Sequence, residues 1–150
     1  RKANRFISAR ETRSASVLEG RMPAAISCVT IPVENLQKSI AFYRDGLGLA
    51  IEEQDEDHAA LDLDGVYLVL LQREEITSYA ETVGARPATR GTIETIISYF
   101  TESKGEVDTV MGQAQKAGAQ IVAASDEDGV YSGYFTDPDG HAWEVLFDGE

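Results

Sequence analysis

One stretch of this chain occurs twice. Asp62-Leu63-Asp64-Gly65-Val66-Tyr67-Leu68-Val69-Leu70-Leu71 is answered by Asp137-Pro138-Asp139-Gly140-His141-Ala142-Trp143-Glu144-Val145-Leu146. In each copy an Asp-x-Asp-Gly turn feeds an apolar run, and Asp and Gly are residues that tolerate the backbone of a tight reversal ahead of a strand. A repeat constrains architecture strongly, because two units too small to bury a sheet alone must share a core. The copies differ at one chemically telling position: Val69 stands where the second copy has Glu144.

The segments around the repeat also correspond. Residues 26–33 are rich in β-branched side chains and read as a strand. Asn35 offers an N-cap, and Leu36, Ile40, Tyr43 and Leu47 share a helical face that ends at Gly46 and Gly48. Short strands are expected over 49–53, 59–63 and 66–71, which makes the first unit βαβββ. In the second unit a strand over 92–101 leads to the capping box Ser103-x-x-Glu106. Val107, Val110, Met111, Ala114 and Ala117 form the apolar stripe of its helix, Gly118 ends it, and strands over 120–124, 131–136 and 141–147 complete the unit. The expected organisation is a basic, dispensable extension over 1–23, a first module over 24–72, a linker with a short helix over 73–91, and a second module over 92–150.

Composition excludes several classes. The formal net charge is −13, and residues 1–22 carry six basic and two acidic side chains, leaving −17 on the remainder. Such a surface argues against nucleic acid, which requires a basic patch. No apolar run approaches the roughly 18–20 residues that span a bilayer, so no membrane partner is expected. The one cysteine, Cys28, rules out a disulfide framework within the chain and suggests a reducing, cytoplasmic setting.

Two motifs then resemble a known group. Val29-Thr30-Ile31-Pro32-Val33-Glu34-Asn35-Leu36, with Ser39-Ile40-Ala41-Phe42-Tyr43-Arg44 and Leu47-Gly48-Leu49, is similar to the opening strand and helix of the vicinal oxygen chelate superfamily. This is the glyoxalase, bleomycin-resistance and extradiol-dioxygenase group. Tyr134-Phe135-Thr136-Asp137-Pro138-Asp139-Gly140-His141-Ala142-Trp143-Glu144-Val145 is similar to its closing hairpin. The resemblance implies an α+β fold in which two tandem βαβββ modules pair into an incompletely closed β-barrel around a cavity, with helices outside, and it implies a homodimer. It also implies a divalent metal held from the first and last strands of both modules. The corresponding positions here are Cys28, Val69, Ile96 (or Thr95) and Glu144, of which Glu144 alone matches the family. Val69 and Ile96 have no donor atom, and a catalytic metal needs about three protein ligands. No metal or other cofactor is therefore expected. His58 is placed in an acidic loop and His141 at a turn.

Strand alternation lists the wall of such a cavity. With Glu144 facing inward, Cys28, Thr30, Tyr67, Val69, Ile96, Ser98 and Phe100 join it, and Tyr131 and Tyr134 either flank the mouth, with one of them touching ligand, or pack in the hairpin. Trp143, Val145 and Phe147 face the helices. An apolar pocket with one carboxylate suits a small hydrophobic or cationic ligand. Glu144 is a general acid or base in a lyase or isomerase, an anchor for a cationic ligand, or a residue held by Ser, Thr and Tyr hydroxyls with no chemistry of its own. Cys28 reads as a small buried hydrophobe, since no neighbouring cation in sequence would stabilise its thiolate. The acidic runs 52–57 and 126–128 read as solvated turns, with an electrostatic funnel for a cation as the sharper alternative.

Overall fold

The computed structural model describes residues 26–149, and the basic extension expected over 1–23 lies outside them. The first module runs β1 (Cys28–Val33), α1 (Leu36–Ile40), β2 (Ile51–Gln54), β3 (His58–Asp62) and β4 (Tyr67–Gln72). After α2 (Arg73–Thr82), the second module runs β5 (Ile96–Phe100), α3 (Lys104–Lys116), β6 (Gln120–Glu127), β7 (Val130–Thr136) and β8 (Ala142–Phe147). Each module forms a four-stranded sheet of the same topology, β1-β4-β3-β2 and β5-β8-β7-β6, with the opening strand parallel to the closing one. The fold is α+β, built of two βαβββ units whose sheets are not closed into a barrel.

The capping signals act as the sequence implies. Asn35 accepts from the Lys38 N–H and Ser103 from the Glu106 N–H, which satisfies a donor that a helix N-terminus leaves free. Beyond α1 the chain continues as a π-helical turn over Ala41–Gly46, with the Leu47 N–H bonded to the Phe42 carbonyl five residues back. The widened turn buries Phe42 beside Tyr43, so the buried face of this helix includes Ser39 and Phe42 as well as the periodic Leu36, Ile40 and Tyr43.

Several boundaries differ from the sequence reading. β5 begins at Ile96 rather than Thr92. The acidic runs are only partly turns: Glu52–Gln54 lie on β2, and Asp126 and Glu127 close β6, so the second reversal is confined to Asp128-Gly129. His58 is not a loop residue. It opens β3, is 4% exposed, and its Nδ1 lies 2.7 Å from the Asp55 carboxylate. No helix among the described residues is long and apolar enough to cross a membrane.

The helix-facing sides of both sheets merge into one core. Phe42 meets Phe135 with ring centroids 6.2 Å apart, Tyr43 meets Trp143 at 5.9 Å, and Phe135 stacks on Trp143 at 5.8 Å and 5°. Each such buried side chain contributes about 1.5–3 kcal/mol relative to exposure, so these contacts bind the modules to each other. The approach is close: a Cβ on Gly46 would stand 2.4 Å from that of Ala117 at the end of α3.

A polar clamp closes one end of this interface. Asp139 accepts from the Ser39 hydroxyl (3.1 Å) and the Glu34 N–H (3.0 Å). Asp137 accepts from the Tyr43 hydroxyl (2.6 Å) and from the backbone N–H groups of Asp139 and His141 (2.9 Å each), and the His141 Nδ1 lies 2.7 Å away. Trp143 donates its indole N–H to the Tyr43 oxygen at 3.1 Å. Both aspartates are buried, and the bonds they accept offset the cost of placing carboxylates away from water.

Candidate functional site

Ser98, Glu144 and Tyr134 are directly opposed across β5, β8 and β7, so they form one row on the sheet face that points away from the helices. The Ser98 hydroxyl donates to one Glu144 oxygen at 2.7 Å and the Tyr134 hydroxyl to the other at 2.7 Å. The Tyr134 phenol is raised above its usual range, chiefly by this hydrogen bond to Glu144, against an opposing bond involving Ser132. It therefore remains a donor throughout the neutral range. The row holds a carboxylate in a fixed orientation at the centre of the sheet.

Apolar side chains surround that row. Ile96 and Phe100 lie on the same face of β5, two residues to either side of Ser98, and Val122 of β6 is opposed to Tyr134. Instead of lining a closed pocket, Ile96 is 54% exposed, Phe100 62% and Tyr134 40%. This face of the second sheet is open to solvent within one chain.

The first-module residues sit on the other sheet. Cys28 is opposed to Tyr67, and Thr30 to Val69, across the parallel pair of β1 and β4. Val69 and Leu71 are buried although Leu68 and Leu70, of opposite parity, are buried as well, so this sheet is covered on both faces around β4. Cys28 is a half-buried free thiol. Tyr131 does not join the Glu144 row. It lies three residues from Tyr134, which places it on the opposite face of β7, and its hydroxyl donates to Asp108 of α3 at 2.8 Å. That bond is also the main reason its phenol is raised.

The four positions that would hold a family-type metal are thus divided between two sheets, Cys28 and Val69 on the first, Ile96 and Glu144 on the second. Two of the four are hydrocarbon. Among the described residues no group of three or more His, Cys, Asp and Glu side chains could hold a metal ion. The donor set does not fit a divalent centre, which needs about three matched protein ligands.

The sequence reading missed the ionisable cluster at the clamp. Burial alone would raise Asp137, but the hydrogen bond and charge of His141 and the Tyr43 hydroxyl more than offset this, and the carboxyl lies below its ordinary range. Tyr43 is raised well above its ordinary value, by burial first and then by the Asp137 charge. The available signal was Ser39 and Tyr43, polar atoms on an otherwise apolar helical face, which require buried partners.

Comparison with known proteins places these observations. The model of the Glyoxalase/Bleomycin resistance protein/Dioxygenase superfamily matches residues 25–145. A metallothiol transferase FosB of Staphylococcus haemolyticus is 30% identical over 128 residues, covering 83% of this chain and 84% of that protein. Among solved structures, a glyoxalase-related enzyme from Fulvimarina pelagi superposes with a TM-score of 0.72 at 24% identity, over 83% of this chain and 88% of that one. Lactoylglutathione lyase from Agrobacterium tumefaciens gives a TM-score of 0.67 at 23% identity, over 84% and 95%. At these identities the structural likenesses establish the fold alone.

Proposed function

The chain belongs to the glyoxalase/bleomycin resistance protein/dioxygenase superfamily, and we propose that within it this protein binds a small organic molecule at the Glu144 face without a metal centre. The observation that carries this reading is the Ser98–Glu144–Tyr134 row. A carboxylate held by two hydroxyls at 2.7 Å, set among Ile96, Phe100 and Val122, offers one oriented charge in an apolar field. That combination favours a hydrophobic ligand bearing a cationic or hydrogen-bond-donating group. The acidic surface, with its net charge of −13, draws such a ligand in.

The open face needs a cover, and a homodimer supplies one. Exposed Ile96, Phe100, Val122 and Tyr134 form an apolar surface of the kind that a second protein surface buries. A second copy seated on it would convert the face into a cavity, and self-association is the commonest way for a soluble chain to do so.

An enzymatic reading has one observation behind it, the likeness to a relative named as a metallothiol transferase. In that reading Glu144 would accept or return a proton at a bound substrate, with Ser98 and Tyr134 fixing its orientation. Hydrocarbon side chains at Val69 and Ile96 oppose the metal part of such chemistry.

A thermal-shift screen tests the proposal, using cationic glycopeptide drugs and small aromatic or oxo-acid metabolites with and without Zn²⁺, Ni²⁺ or Mn²⁺. Ligand at a hundredfold excess over its dissociation constant should stabilise the fold by about 2.7 kcal/mol. The expected result is a hit that needs no metal and is lost in Glu144→Gln. Stabilisation by the metal alone would reject the metal-free reading and move the enzymatic one forward.

A further inference from the structure

The interface between the modules is clamped at the Asp137 end and open at the other, and the opening is a cleft of about 570 Å³. Leu47, Leu63 and Val66 of the first module form one wall, and Ile97, Val110 and Trp143 of the second form the other. The rim carries Asp62 and Asp64, the first copy of the repeated turn. Both are exposed, and among the described residues no lysine, arginine or histidine lines the cleft. The volume lies within the range of small-molecule sites, roughly 300–1,000 Å³. The cleft lies on the helix-facing side of the second sheet, where Trp143, Val145 and Phe135 point, and Glu144 points the opposite way.

We infer that this cleft is a second binding site, distinct from the Glu144 face, for an amine carrying an apolar body such as an arylalkylammonium ion. The apolar walls bury the hydrocarbon, which supplies the bulk of the affinity. The two rim carboxylates, unopposed by a cationic side chain among the described lining residues, meet the ammonium group, while a carboxylate-bearing analogue is repelled. Ligand bridging the two walls would tie the modules together where the polar clamp is missing. The two sites meet at Ser98, which lines the cleft and donates to Glu144, but they share no carboxylate, so the inference does not depend on the Glu144 reading.

Trp143 is the one tryptophan of the chain and lines the cleft, so its emission reports occupancy directly. The test titrates the full chain with 4-phenylbutylamine and with its neutral isostere 4-phenylbutanol. The expected result is a saturable change in Trp143 emission with the amine, weakened about fivefold to tenfold for the alcohol and in the double variant Asp62→Asn/Asp64→Asn, as two exposed charge contacts imply. The change should persist in Glu144→Gln and vanish in Val110→Phe, which fills the cleft, with the circular dichroism spectrum of each variant matching wild type. Should Val110→Phe fail to fold, the exposed double variant still decides the matter. Equal binding of amine and alcohol, loss of the signal in Glu144→Gln, or no saturable change would each overturn the inference. An emission that shifts with protein concentration in the wild type but not in Val110→Phe would place a second copy in the cleft and overturn it as well.

Discussion

At Asp137–Gly140 the repeated turn is buried and carries hydrogen bonds from one module to the other, whereas at Asp62–Gly65 the same turn is exposed and the Asp64 N–H bonds to Asp62 within the turn itself. The difference arises opposite the turn rather than in it. Counted from the N-caps Asn35 and Ser103, the residues four and eight positions on are Ser39 and Tyr43 in the first helix and Val107 and Met111 in the second. Hydroxyls meet the second turn, so its carboxylates can be buried with partners. The equivalent positions of α3 hold a valine and a thioether, which donate no hydrogen bond to a carboxylate, and burying a carboxylate without a partner would cost several kcal/mol. One end of the interface closed as a clamp, and the other is a cleft with an acidic rim.

The largest effect should come from removing the centre of the clamp. Asp137→Ala deprives the Tyr43 hydroxyl, the His141 ring and two backbone N–H groups of a buried acceptor, and should cost about 3–5 kcal/mol in urea unfolding. Its pH dependence carries a further signature. The folded carboxyl titrates below the ordinary range, so its contribution is present above about pH 4 and lost as the pH falls through the lower folded value. Asp137→Asn should remove that acid-side slope from the stability profile. An unchanged profile would mean that the clamp contributes no charge-dependent stability, and the contrast between the two ends would fail.

Tyr43→Phe should rank second, at about 1.5–3 kcal/mol, since it deletes one charge-assisted bond and the acceptor of the Trp143 indole N–H but leaves Asp137 with its other partners. Tyr43 is held neutral well above its ordinary value of 10. Stability from this group is therefore complete below pH 10 and declines as the pH rises toward the folded value, because the unfolded chain then loses the proton first. The variant should lack this alkaline decline relative to wild type. A decline of equal size in both proteins would assign it to other groups.

Much of this architecture is legible in sequence, and the limits have physical causes. Asn35 and Ser103 mark helix starts because capping is a local bond, spanning three residues in both cases. Alternation along β8 separates Trp143 from Glu144, and the same rule applied to β7 would have separated Tyr131 from Tyr134. His58 was misread because an acidic run looks like a loop until a partner strand exists: it pairs with Leu71 across the sheet. The clamp joins residues about a hundred positions apart, Ser39 to Asp139 and Tyr43 to Asp137. Periodicity says which face of a helix is buried, and it does not say which turn of another module will lie against that face. The open face of the second sheet was hidden for the same reason, since alternation lists a wall without showing what stands across from it.

The smallest effect completes the contrast. Asp62→Ala removes the counterpart of Asp137, and it should change stability by no more than about 0.5–1 kcal/mol, the range for an exposed residue making one local bond within its turn. Its effect on the thermal midpoint at low salt should be neutral or slightly positive, because it removes one charge from a chain of net charge −13. A loss comparable to that of Asp137→Ala would show that the first turn also bears on the interface, and the cleft would then have to close in solution. A small loss, joined to weaker amine-dependent change in Trp143 emission, would separate the two uses of one motif. The buried copy would serve folding, and the exposed copy would serve recognition.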